Sequence, residues 1–173
     1  MVSVAADEIS TMVMIYTQNM LVRGEVVTRQ GVRVSTWLRT QGVPEYIHLF
    51  KPTVIHFGSG LIKTLNYTEI YVPVSTVIAF HLAPPAAEPL DYAENETNRI
   101  AVPVTCLPGT FQFKGYMRIS TRATLSTSIE LAHSAWLSIY NVDVTNHSMP
   151  QMPPIHVELI LISPKNVSVA IEG

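Results

Sequence analysis

MLVRGEVVTRQG, residues 20–31, is the stretch on which the reading of this chain turns. Its valines and threonine favour a strand, and Gln30-Gly31 closes it with a tight-turn signal. Gly24 sits in its middle. The second half holds a comparable stretch, Phe113-Lys114-Gly115-Tyr116-Met117, in which Gly115 falls 91 positions after Gly24. At that spacing Val13 meets Val104, Ser35 meets Ser126 and Thr36 meets Thr127. One residue is lost near Pro44, and the spacing becomes 90. Tyr46-Ile47-His48-Leu49-Phe50 then meets Trp136-Leu137-Ser138-Ile139-Tyr140, Val54 meets Val144, Ile70 meets Ile160 and Val77 meets Val167. Identities are few, but glycine, turns and strand phases coincide with a single gap from Met12 to Phe80. That pattern points to an internal duplication.

Working outward, short runs rich in Val, Ile, Thr and aromatics are separated by Gly, Pro and Asn, the signature of strands. The first half predicts strands over Met12–Thr17, Met20–Arg29, Arg33–Arg39, Tyr46–Phe57 and Thr68–His81. Gln41-Gly42-Val43-Pro44 and Gly58-Ser59-Gly60 supply further turns. Residues 1–11 read as an N-terminal tail. Residues 82–98 (LAPPAAEPLDYAENETN) read as a proline-rich linker, because Pro84, Pro85 and Pro89 remove backbone donors and favour extended chain. The expected fold is all-β: two tandem five-stranded small barrels with pseudo-two-fold symmetry, over residues 12–81 and 99–173.

The residues Gly24, Arg33-Val34-Ser35-Thr36-Trp37-Leu38, Tyr46-Ile47-His48-Leu49 and Val72–Ala79 resemble a small bacterial β-barrel domain family of unknown function. That family often carries Ser-Asp-x-Leu-Asn where this chain has Ser35-Thr36-Trp37-Leu38-Arg39. The strand plan is also similar to Sm-like and SH3-like barrels. The resemblance implies architecture alone, since such folds host many functions.

Hydrophobic residues make up 47% of the 173-residue chain and charged residues 14%, where soluble domains usually carry about 25% charged. The longest apolar runs, such as Met12–Tyr16 and Val77–Phe80, are strand-length, far short of the ~20 residues of a spanning helix. The N-terminal MVSVAADEIS has no basic region or apolar core of a signal peptide. Cys106 stands alone, so no intrachain disulfide forms, which fits a reducing, cytoplasmic setting. On that reading the glycosylation-like triplets at Asn66, Asn95, Asn146 and Asn166 are coincidental. A net charge of −2 with no basic run argues against nucleic acid as a partner.

Catalytic constellations are wanting, and neither enzyme activity nor a cofactor is expected. Cys106 aligns with Ile15, which suggests a small buried core residue. No nucleophile elbow, dinucleotide fingerprint or phosphate loop occurs. His156 and Glu158, at strand spacing, form the best metal pair, but a solvated strand face is the expected explanation and no metal site is expected. Two interaction elements remain. Alternation along a strand would place Arg33, Ser35, Trp37 and Arg39 on one face, either as a recognition patch or, as is more common, as a simply solvated face opposite Val34, Thr36 and Leu38. The loop Ser148–Pro154, with Met149, Pro150, Met152 and Pro153, could dock into a neighbour or fold over its own barrel. Low charge and unpaired edges favour a self-assembling protein or a subunit of a larger complex. The alternatives are a sensor holding a small ligand between the two units and, behind it, Sm-like RNA binding.

Overall fold

The computed structural model describes residues 5–39, 44–58, 61–93, 95–131 and 136–171. They form antiparallel strands and two short helices, and the chain divides into two compact units, Met1–Glu88 and Pro89–Gly173.

The first unit runs β1 (Glu8–Tyr16), β2 (Met20–Arg29), α1 (Val34–Trp37), β3 (Tyr46–Gly58), β4 (Leu61–Asn66), β5 (Glu69–Pro73), a 3₁₀ turn at Val74–Thr76, and β6 (Ala79–Leu82). Its ladder passes from β6 through β1 and β2 to β3. The far edge of β3 is shared: Tyr46–Phe50 pair with β5, and Thr53–Gly58 pair with β4. Two residues, Lys51 and Pro52, lie between those stretches and face Gly24 across the β2–β3 ladder, where the register shifts. This is a β-bulge, which bends the strand and raises its twist. Lys51 takes a left-handed conformation there, with φ of 46°.

The second unit runs β7 (Arg99–Leu107), β8 (Phe111–Ser120), α2 (Leu125–Glu130), β9 (Leu137–Asn146), β10 (Ile155–Ile162) and β11 (Ser168–Ala170), in the order β11-β7-β8-β9-β10. A bulge recurs in it. Asn141 and Val142 face Gly115 across the β8–β9 ladder, and Asn141 has φ of 48°. The glycine is required by close approach, because a Cβ there would lie 2.7 Å from the Tyr140 carbonyl oxygen. Gly24 is less tightly enclosed, with Leu49 Cβ at 3.1 Å.

Each core is built by alternation of side chains about the pleat. Val13, Ile15, Val22, Ile47, Leu49, Val54 and Phe80 are buried in the first unit; Val104, Cys106, Phe113, Ile139, Val142, Val144 and Ile160 are buried in the second. That burial supplies most of the favourable free energy of folding.

Several expectations are corrected. Neither unit closes as a barrel: among the described residues the strand path stays open. One physical reason lies in the strand expected over Thr68–His81. Pro73, which fixes φ and lacks an N–H, ends β5, and a 3₁₀ turn intervenes before the four-residue β6. In the second unit the last strand, β11, has three residues. The strand expected over Arg33–Arg39 is replaced by α1. The tail expected over 1–11 is already strand from Glu8, while residues 1–4 lie outside the described part. The stretch 82–98, expected as a linker, contains the boundary between the two units and is tied down on either side of it. Glu88 bonds α1, and Asp91 bonds β9.

Candidate functional site: an exposed aromatic face in the first unit

Burial of Ile47, Leu49 and Val72 in the core fixes the phase of β3 and β5. Their neighbours Tyr46, His48 and Phe50 on β3, and Glu69, Tyr71 and Pro73 on β5, therefore share the opposite face. Ladder pairing sets His48 against Tyr71 and Phe50 against Glu69. The rings of His48 and Tyr71 stack with centroids 4.2 Å apart and planes 11° from parallel, and the Phe50 ring lies 4.2 Å from that of His48, tilted by 45°. His48 Nε2 lies 3.0 Å from Glu69 Oε2, and the Tyr71 hydroxyl donates to the same oxygen at 3.4 Å. The cluster is thus ordered by its own bonds. Tyr46 and Tyr71 nevertheless stay 50% and 57% exposed. A shallow cleft of about 400 Å³ continues the face past Tyr46, lined by Pro44, Glu45, Pro73, Val74 and Ser75. Such aromatics give large, rigid contact area at small entropic cost.

In the second unit, Trp136, Ser138 and Tyr140 occupy the positions 90 residues on from Tyr46, His48 and Phe50. Here the chain covers its own strand. Asp91 accepts from Ser138 Oγ at 3.1 Å and from the Tyr140 hydroxyl at 2.7 Å, and Tyr92 meets Tyr140 edge-on at 5.0 Å. The guanidinium of Arg118 lies 3.6 Å from the Tyr92 ring centroid and donates to Glu96 Oε2 at 3.4 Å.

The sequence-derived sites fare differently. Arg33, Ser35, Trp37 and Arg39 do not form a strand face. Ser35 is buried and donates to Glu88, while Arg33 and Arg39 are exposed and Trp37 is half-buried. The loop at Met149 folds over its own unit, at least in part. Met149 is buried, and the turn is held by Asn146, whose Oδ1 accepts from Ser148 N at 2.8 Å. Pro150 and Pro153 are exposed and Met152 is half-buried. His156 Nδ1 lies 2.9 Å from Asp143 Oδ1 on an open surface, and among the described residues no three His, Cys, Asp or Glu converge. Cys106 is wholly buried, and burial pushes its thiol up to about 12, so it is held as the unreactive thiol.

The face is not legible in the sequence, where β3 and β5 show as strands but the side taken by the core does not. Tyr46-Ile47-His48-Leu49-Phe50 carries large side chains in both phases, so only the partner strand tells inside from outside. Comparison of the chain with protein-family models, with curated proteins and with solved structures finds no match.

Proposed function

We propose that this is a non-catalytic interaction protein, built by tandem duplication, that self-associates or joins a larger complex through the open edge of its first sheet. The duplication reading is supported by the two bulges. Gly24 and Gly115 stand at one spacing, and the left-handed Lys51 and Asn141 stand at the other, one residue shorter, as the alignment of the halves requires.

The observation that carries the assembly reading is β4. It ends the strand path, so one row of its backbone N–H and C=O groups has no ladder partner among the described residues. Ile62 and Leu65 point to opposite faces of the hairpin and are 44% and 40% exposed. Lys63 is its single charge. Natural proteins blunt such edges with charge, proline or bulges, and an edge left this apolar is a template for another strand. In the second unit the corresponding stretch is the loop that tucks Met149 inward.

Sedimentation of the native chain should give a mass well above the 19.2 kDa of one copy. The double variant Ile62→Lys/Leu65→Lys should lower that mass while its circular dichroism stays unchanged. A wild-type monomer at high concentration, or an assembly indifferent to these lysines, defeats the reading.

A further inference from the structure

We propose that the β3–β5 face of the first unit is a second binding site, distinct from the β4 edge, and that it takes an arginine side chain carried by a peptide segment of a partner. Three observations converge on that occupant.

The first is charge. The carboxylates bordering the face are Glu69, bonded within it, and Glu45, lining the adjoining cleft. The nearby cation, Lys51, is engaged with Glu25 at 3.2 Å. An exposed aromatic surface edged by carboxylates attracts a cation by the ring quadrupole and by Coulomb attraction together. It repels the phosphates of a nucleic acid, although bases also stack on such platforms.

The second is geometry found elsewhere in the chain. Arg118, Tyr92 and Glu96 form a guanidinium laid on a tyrosine ring with a carboxylate at its edge, at 3.6 and 3.4 Å. Tyr71 and Glu69 present the same two partners, ring and carboxylate, already joined by a hydrogen bond. Arginine suits this pair better than lysine, since its planar fork stacks on the ring while donating sideways.

The third is the shape of the occupant. On β9, at the spacing of 90 residues, the corresponding strand surface is covered by side chains of the bend at Asp91-Tyr92. A non-strand chain segment laid on this strand surface is thus an arrangement the fold already accommodates. In the first unit Tyr46 and Tyr71 stay half-exposed, which leaves that role to another molecule.

The test titrates the full chain with three otherwise identical glycine-serine heptapeptides bearing a central arginine, leucine or glutamate, followed by amide and aromatic NMR shifts. The arginine peptide should saturate, with shifts centred on Tyr46, His48 and Tyr71. Tyr71→Ala and Glu69→Gln should each weaken it about 3- to 10-fold, Tyr71→Phe should retain binding, and Ile62→Lys/Leu65→Lys should bind normally. That last variant separates this site from the β4 edge: loss of assembly with retained peptide binding is the expected result, assembly that persists defeats the edge reading alone, and loss of peptide binding defeats this site alone. Equal binding of the glutamate peptide overturns the proposal, as does absence of shifts at millimolar arginine peptide. Single-stranded RNA that shifts the same resonances more strongly than the peptide would overturn it too.

Discussion

His81 lies in the core of the first unit, and its bonds dictate its protonation. Nδ1 is 2.7 Å from the Leu82 carbonyl, which can only accept, so Nδ1 carries the hydrogen. Nε2 is 3.0 Å from the Tyr16 hydroxyl, which donates to it. The neutral ring is therefore satisfied at both nitrogens, and burial holds its pKa down at about 4, against the smaller opposing pull of the Leu82 bond. Burial likewise pushes the Tyr16 phenol up. In the unfolded chain the imidazole takes a proton below 6.5, whereas in the folded chain it waits until about 4. The unfolded state thus binds more protons in that window. The contribution of His81 is fully present above 6.5 and is lost as the pH falls through the window, with a slope approaching about 1.4 kcal/mol per pH unit and a total on the order of 3 kcal/mol. Urea denaturation from pH 7.5 down to 4.5 should show this slope in the wild type and a shallower one in His81→Gln. Parallel slopes would refute the assignment. None of this pair was legible in the sequence, because Tyr16 and His81 are 65 residues apart and meet only through the β1–β6 ladder. Burial of Cys106, by contrast, could be read from its alignment with Ile15.

Among elements, β2 is the one whose bounds, Met20–Arg29, sequence and structure share. Val, Thr and a closing Gln-Gly leave little competition there. The element misread most completely is α1. Val34 and Thr36 are β-branched and argue for a strand, and four residues are too few for helical periodicity to register. What decides the matter is distant. Glu88 accepts from Val34 N at 2.8 Å, from Ser35 N at 3.1 Å and from Ser35 Oγ, and so satisfies amides that the first turn leaves without intrahelical partners. No local window contains that carboxylate. Glu88→Ala should accordingly cost about 1–2 kcal/mol and speed hydrogen exchange at the Val34 and Ser35 amides while leaving that of β7–β11 unchanged. Unaltered protection at those amides would show that α1 is held by the packing of Val34 and Leu38 alone. β4 was missed for a related reason. Leu61–Asn66 is exposed on both faces wherever its side chains are described, so it lacks the one-sided apolar pattern that marks a half-buried strand.

For the whole chain, the low charge content shows as exposed apolar side chains. Large apolar and aromatic groups are exposed in both units, and in the first they gather at Ile62, Leu65 and Tyr67 around β4 and at Tyr46 and Tyr71 on the β3–β5 face. Composition foretold that such surface would exist but could not say where, because only the ladder order tells an edge strand from an interior one. The two surfaces differ in physics, and salt separates them. Edge pairing at β4 rests on backbone hydrogen bonds and apolar burial, and the net charge of −2 leaves little repulsion to screen. Its assembly should therefore hold or tighten between about 0.05 and 0.5 M sodium chloride, read by light scattering at fixed protein concentration. Arginine-peptide binding at Tyr71 and Glu69 draws on exposed charge and should weaken over the same range. If the mass instead fell with salt, ion pairs rather than strand edges would be holding the copies together. Residues such as Lys63 and Glu69 would then replace Ile62 and Leu65 as the groups to vary.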